Sequence, residues 1–281
     1  MTIRGRHTVT AGLTADRLGG PKPATAYLAS RPVADGRPRL FCFHHAGGGA
    51  AAYTALRRAL APSVEVLRVQ LPGREGRIGD RLPGTMAELV AELDEQLDPY
   101  LSGPYACYGH SMGALVAHDL LAVRQARGAE PPLRLIAGAC RAPQLPAAFV
   151  SAYAGSDDQL VRTMLDIGGL SRQLLDYPDW LAAAVALTRG DLRLCASRDT
   201  APGAPLSCPI EIFHGAADPL VSESDALAWR ERAAAGFRLH RFEGGHFFHL
   251  GAARARFADR LARLLTDPPV PARNAGLVSG V

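Results

Sequence analysis

The sequence predicts an α/β protein, built as a mostly parallel central sheet flanked by helices on both faces. Six short apolar runs bounded by Gly or Pro read as buried strands. Amphipathic stretches fall between them, and strand–helix alternation is what parallel crossovers require. The Gly- and His-rich segments all follow strands, so they converge on the rim where such sheets bind ligands.

In chain order the strands are Arg39 to His44, Val64 to Gln70, Tyr105 to Gly109, Leu133 to Ala139, Pro209 to His214 and Phe237 to Phe242. Apolar residues recur at helical spacing over Met86 to Leu97, Met112 to Arg127, Ser224 to Ala235 and Ala252 to Leu265. One connection breaks the rhythm. Residues 141–208 are far more than a single crossover helix needs. They contain two acid-capped helix starts, Ser156-Asp157-Asp158-Gln159-Leu160-Val161-Arg162 and Pro178-Asp179-Trp180-Leu181-Ala182-Ala183. The insertion is therefore expected to be a mobile helical lid over the rim, centred on residues 156–187, with an apolar inner face at positions such as Leu165. Residues 25–266 are expected to form one domain, and the Pro-, Gly- and polar-rich segments 1–24 and 267–281 disordered tails.

Composition narrows the function. With 281 residues, 48% of them hydrophobic, the chain can bury one large core. It has neither a long uninterrupted apolar run nor an apolar secretory region after Met1, so no membrane association and a cytoplasmic location are expected. A formal charge of +4, dispersed along the chain, does not suggest nucleic acid. Lys22 is the sole lysine, and arginines carry the rest of the positive charge. The five cysteines at 42, 107, 140, 195 and 208 show no metal-ligand spacing and read as buried thiols of a reducing compartment. Neither a metal nor a cofactor is expected.

The chemistry concentrates at Gly109-His110-Ser111-Met112-Gly113, between a strand and a helix. A serine at such a sharp turn, with φ expected positive, leaves no space for side chains on either flank, hence the two glycines. Its hydroxyl needs an imidazole to take its proton, and that imidazole needs a carboxylate on its other nitrogen. Asp218 and His246 both fall in loops that follow strands, in the chain order Ser, Asp, His. Asp225 and His249 are the competitors, since each lies at or within a predicted helix. Asp218 could alternatively serve only as an Asx turn before Pro219. An oxyanion hole needs two backbone N–H groups: Met112 supplies one, and the loop His44-His45-Ala46-Gly47-Gly48-Gly49 the other, at Ala46 or, next, Gly47. That loop lacks the spacing of a nucleotide-binding motif.

Four segments together resemble the type II thioesterases that serve polyketide synthases and nonribosomal peptide synthetases. They are His45-Ala46-Gly47-Gly48, Gln70-Leu71-Pro72-Gly73-Arg74-Glu75-Gly76-Arg77, Gly109-His110-Ser111-Met112-Gly113-Ala114 and Gly244-Gly245-His246-Phe247-Phe248. The resemblance runs from about Arg39 to Leu265 and implies an α/β-hydrolase fold with a lid. It also implies a Ser111–His246–Asp218 triad, an oxyanion hole at Met112 and Ala46, and acyl groups on the phosphopantetheine arm of acyl or peptidyl carrier proteins as substrate. The chain departs from the family in having His44 where proline is common, and in Cys195-Ala196-Ser197-Arg198. Carrier proteins are acidic, so Arg74, Arg77 or Arg141 are expected as docking residues on a monomeric enzyme. Two other readings stand at this point: a serine hydrolase or acyltransferase for a free small-molecule ester or acyl-CoA, and a catalytically silent binding scaffold.

Overall fold

The computed structural model describes residues 24–33, 35–146, 155–201 and 203–266. The expected tails, Ala24 excepted, lie outside the described residues. Six strands, β1 (Arg39–Phe43), β2 (Glu65–Arg68), β3 (Tyr105–His110), β4 (Leu135–Gly138), β5 (Ile210–Gly215) and β6 (Phe237–Phe242), form one sheet in the order β2-β1-β3-β4-β5-β6. Each pairing is parallel. After β2 the chain crosses back over β1, so the order reverses between β1 and β3. In a parallel sheet the loops leaving two such strands splay apart and open a crevice. Here those loops carry Ala46 and Ser111.

Alternation within the strands builds two cores. Phe41 and Phe43 of β1 face one side, with α2 (Met86–Leu97) and α3 (Met112–Ala126). Leu40 and Cys42 face the other, with α1 (Thr54–Leu60) and the C-terminal helix Arg254–Thr266. That last helix presents Phe257, Leu261, Leu264 and Leu265 to the sheet while its remaining face is largely exposed. Burying Phe257 and Leu261 contributes about 2 kcal/mol each, which a thirteen-residue helix of modest intrinsic stability needs.

The insertion carries α4 (Asp157–Asp166), a 3-10 turn (Arg172–Asp176) and α5 (Pro178–Ala196). Helix α4 begins with a capping box in which Ser156 Oγ accepts the Gln159 N–H at 3.3 Å and Gln159 Oε1 accepts the Ser156 N–H at 2.9 Å. The helix expected over Ser224 to Ala235 is shorter. Helix α6 spans Glu223–Leu227, and the chain then tightens into a 3-10 turn, Ala228–Arg232. The tighter turn accompanies Trp229 into the core, where its indole N–H donates to the Cys140 carbonyl at 2.9 Å. The helix Arg254–Thr266, hereafter α7, closes the described chain.

Candidate active site

Ser111 is the junction between β3 and α3, with φ 55° and ψ −118°. For a residue other than glycine that conformation costs about 1–3 kcal/mol and must be imposed by its surroundings. The surroundings are backbone. A Cβ on Gly109 would press on the Gly113 carbonyl, and one on Gly113 on the Phe43 carbonyl of β1. The Ser111 N–H donates to the Gly138 carbonyl at 2.8 Å, which holds the turn against β4.

Asp218 follows β5 and His246 follows β6, and their side chains meet almost free of solvent. The Nδ1–H of His246 donates to Asp218 Oδ2 at 2.9 Å, while Asp218 Oδ1 accepts the Leu220 N–H at 2.9 Å. Asp218 is thus both an Asx turn and the partner of His246. Since a carboxylate only accepts, the pair assigns the proton to Nδ1 and makes Nε2 the basic nitrogen. The loop bearing His246 is pinned by His110, whose Nε2–H donates to the His246 carbonyl at 3.0 Å while its Nδ1 accepts from Tyr108 Oη at 2.9 Å. That role for His110 was not anticipated from sequence; the only signal was its place beside Ser111.

Other imidazoles crowd this centre and stay neutral. Burial, then the charges of His246 and Arg74, bring His45 down to about 4; burial, then His45 and His246, bring His249 down to about 3. Burial also holds His110 well below the usual histidine range. A cationic ring next to His246 would oppose a positive charge on that imidazole, so their neutrality favours such a charge. His249 packs against His110 with centroids 4.0 Å apart, and Asp225 caps α6 and pairs with Arg141; neither forms the pair with His246 or Asp218.

Met112 is the first residue of α3, where a backbone N–H has no acceptor within the helix. Ala46 lines a cavity together with Ser111 and His246. The Gly47 N–H is already committed, donating to Asp191 Oδ2 of α5 at 2.7 Å. Of the two loop residues weighed from sequence, Gly47 thus has its N–H already engaged, while Ala46 is the one that lines the cavity.

Two cavities meet at Ser111. One, of about 440 Å³, runs beneath the insertion and is walled by Leu160, Met164, Ile167 and Leu192. The other, of about 480 Å³, runs past Leu115, Cys140, Leu145 and Cys195. Leu165, expected on the inner face of the lid, is not on either wall; its neighbour Met164 is. One residue turns a helix by about 100°, enough to exchange faces. All five cysteines are free and buried.

Among the expected docking arginines, Arg74 needs correction. Arg74 is no surface residue: its guanidinium is buried in a two-pronged ion pair with Asp191, at 2.6 and 2.7 Å. Arg77 lies over the Tyr27 ring and pairs with Asp80, and Arg141 pairs with Asp225. What reads locally as a charged loop is a buried strut, because its acidic partner lies 117 residues away.

A parallel sheet with a serine elbow at its order reversal, and a His–Asp pair beyond the ends of β5 and β6, is the arrangement of an α/β-hydrolase. Residues 38–265 match the family model described as thioesterase domain, and the chain belongs to that family. It is 32% identical over 211 residues to the gramicidin S biosynthesis protein GrsT of Aneurinibacillus migulanus, covering 75% of this chain and 82% of that protein. Among solved structures it is similar to the type II thioesterase BorB from the borrelidin biosynthetic cluster, at 33% identity and TM-score 0.75 over 84% of this chain and 95% of that one. It is similar too to the RedJ thioesterase from the prodiginine pathway of Streptomyces coelicolor, at 33% identity and TM-score 0.75 over 88% and 98%.

Proposed function

We propose that this chain is an editing thioesterase that removes acyl groups from the phosphopantetheine arm of acyl or peptidyl carrier proteins, with Ser111 as nucleophile, His246 as base and Asp218 as its orienting acid. Ser111 Oγ attacks the thioester carbon as its proton passes to His246 Nε2. The negative oxygen is met by the N–H groups of Met112 and Ala46. The C–S bond breaks, and the thiolate leaves with the proton from His246. Water then attacks the acyl–serine ester, giving its proton to His246; the C–O bond breaks, Ser111 is reprotonated and a carboxylic acid is released. Each proton and charge is handled by the chain's own groups, so the sequence calls on no metal or cofactor.

The observation that carries this reading is the joint geometry of a strained Ser111 and a buried His246–Asp218 pair in a thioesterase-family chain. Two cavities meeting at the serine suit a substrate with two arms, an acyl chain and a carrier linker. In this reading the segment 141–208 is the lid, the enzyme is a monomer and the location is cytoplasmic. In keeping with it, no helix among the described residues is long and apolar enough to cross a membrane. Turnover of an acyl carrier protein, the matching acyl-pantetheine and a simple ester tests it. The carrier-linked substrate should have the highest kcat/KM; equal values for the first two would make this a hydrolase of small thioesters.

A further inference from the structure

We infer that Asp191 and Arg74 are positioning residues that set the oxyanion hole, holding the loop after β1 so that the Ala46 N–H faces the carbonyl attacked by Ser111. The inference rests on the thioesterase reading and goes beyond the triad.

The loop is gripped from two elements distant in sequence. From α5, Asp191 Oδ2 accepts the Gly47 N–H at 2.7 Å, and the Thr188 side chain occupies the place of a Gly47 Cβ. Gly47, at φ +74°, therefore has both the conformation and the contact of a residue that must lack a side chain. From the segment after β2, Arg74 Nη1 donates to the Gly48 carbonyl at 3.0 Å while the same guanidinium binds both oxygens of Asp191. Arg74 is itself fixed: its Nε donates to the Pro72 carbonyl at 3.1 Å, and its own carbonyl accepts from Gln70 Nε2 at 3.2 Å. The adjacent Glu75, at φ 48°, accepts the Ala51 N–H at 3.0 Å and fills the space beside Gly49. The Gly48 N–H donates to the His45 carbonyl at 3.0 Å, and that carbonyl shares one rigid peptide plane with the Ala46 N–H, so holding residues 47 and 48 also limits how the Ala46 N–H can turn.

Stability alone is a poor explanation of this pair. A buried ion pair pays heavy desolvation, and apolar residues of similar volume commonly replace it without loss of stability. An apolar pair could not, however, accept the Gly47 N–H or bind the Gly48 carbonyl. With that acceptor gone, the loop could swing its N–H groups, and a displacement of about 1 Å at a reacting centre costs about 100-fold in rate.

The test uses Asp191→Asn, Arg74→Lys and the double variant Arg74→Met/Asp191→Leu, with melting temperature, kcat, KM and affinity for an acyl trifluoromethyl ketone as readouts. The ketone forms a tetrahedral oxyanion on serine, so its affinity reports the hole directly. We expect each single variant to lose about 100-fold in kcat with KM within about threefold, and to lose ketone affinity in parallel. The double variant should recover melting temperature without recovering kcat or ketone affinity. Recovery of kcat to within about threefold of wild type, together with melting temperature, would reduce the pair to a packing role. Should the single variants fail to fold, the double variant decides alone. Nitrophenyl ester hydrolysis and ketone affinity still interrogate the hole if carrier-linked thioesters prove not to be the substrate, which separates failure of this inference from failure of the functional reading.

Discussion

Helix α5 is two different objects joined end to end. Its first seven residues, 178–184, bury no side chain, and Trp180 is 71% exposed there. From Val185 onward the helix buries Val185, Thr188, Asp191, Leu192, Leu194 and Cys195, and Asp191 accepts the Gly47 N–H. The difference shows where a lid on this rim can open. Movement of the second half would strip a buried Asp–Arg pair of one partner, at a cost of about 3–5 kcal/mol. Movement of the first half, with α4 and the turn Arg172–Asp176, breaks no such buried ion pair among the described residues, and its main cost is the apolar cluster in which Leu160 and Met164 of α4 pack against Val185 and Leu192. Under the proposed function, lid opening falls to the part of the insertion before Val185, since Thr188 and Asp191 hold Gly47.

The most severe way to break the rim without touching the lid is Ser111→Ala. Thioester hydrolysis should fall by at least about 10³-fold while the circular dichroism spectrum is unchanged, because residues that act as a unit fail together. Activity within tenfold of wild type would remove Ser111 from the nucleophile's role.

Acid separates the two regions next. The rim carries the depressed histidines His44, His45, His110 and His249, whereas the insertion 141–208 contains no histidine. A histidine whose folded pKa lies below its unfolded value takes up protons on unfolding, so its stabilisation is full above pH 6.5 and is lost as pH falls toward the folded value. For His45, lowered from 6.5 to about 4, the loss across that window is on the order of 3 kcal/mol. Denaturant midpoints should therefore fall steadily from pH 7 to pH 4, and a flat profile would contradict the neutral cluster.

On the lid side the effect is smaller and selective. Met164→Trp narrows the cavity beneath the insertion, so kcat/KM for long acyl chains should drop about tenfold relative to acetyl, with acetyl turnover nearly kept. A uniform rise in KM across chain lengths would instead place the carrier arm in that cavity. The mildest readout is native-state hydrogen exchange. Amides of residues 157–184 should exchange faster than those of 188–195, and equal protection would erase the division of α5.

Much of this was legible in the sequence, for physical reasons that also mark the limit. Strand runs such as Phe237–Phe242 are bounded by residues that stop a strand, so their ends read within a residue or two. Ser111, Asp218 and His246 sit in loops whose place follows from strand order alone. Arg74 was read as a docking residue because Pro-Gly-Arg-Glu is polar in isolation, and nothing nearby announces an acid on α5. The helix expected to run to Ala235 stops early for a similar reason, since Trp229 answers to the Cys140 carbonyl, 89 residues away in sequence. Local pattern locates what the backbone presents. Tertiary pairing decides which charges are surface and which are struts.

The central claim is that a thioester acylates Ser111, and rapid quenching tests it most directly. Wild-type enzyme mixed with an acyl carrier protein, quenched within the first turnover and digested, should yield the peptide containing Ser111 with a mass increase equal to the acyl group. The adduct should be absent from Ser111→Ala. An acyl group on another residue, or continued hydrolysis by Ser111→Ala with no adduct at all, would contradict the account.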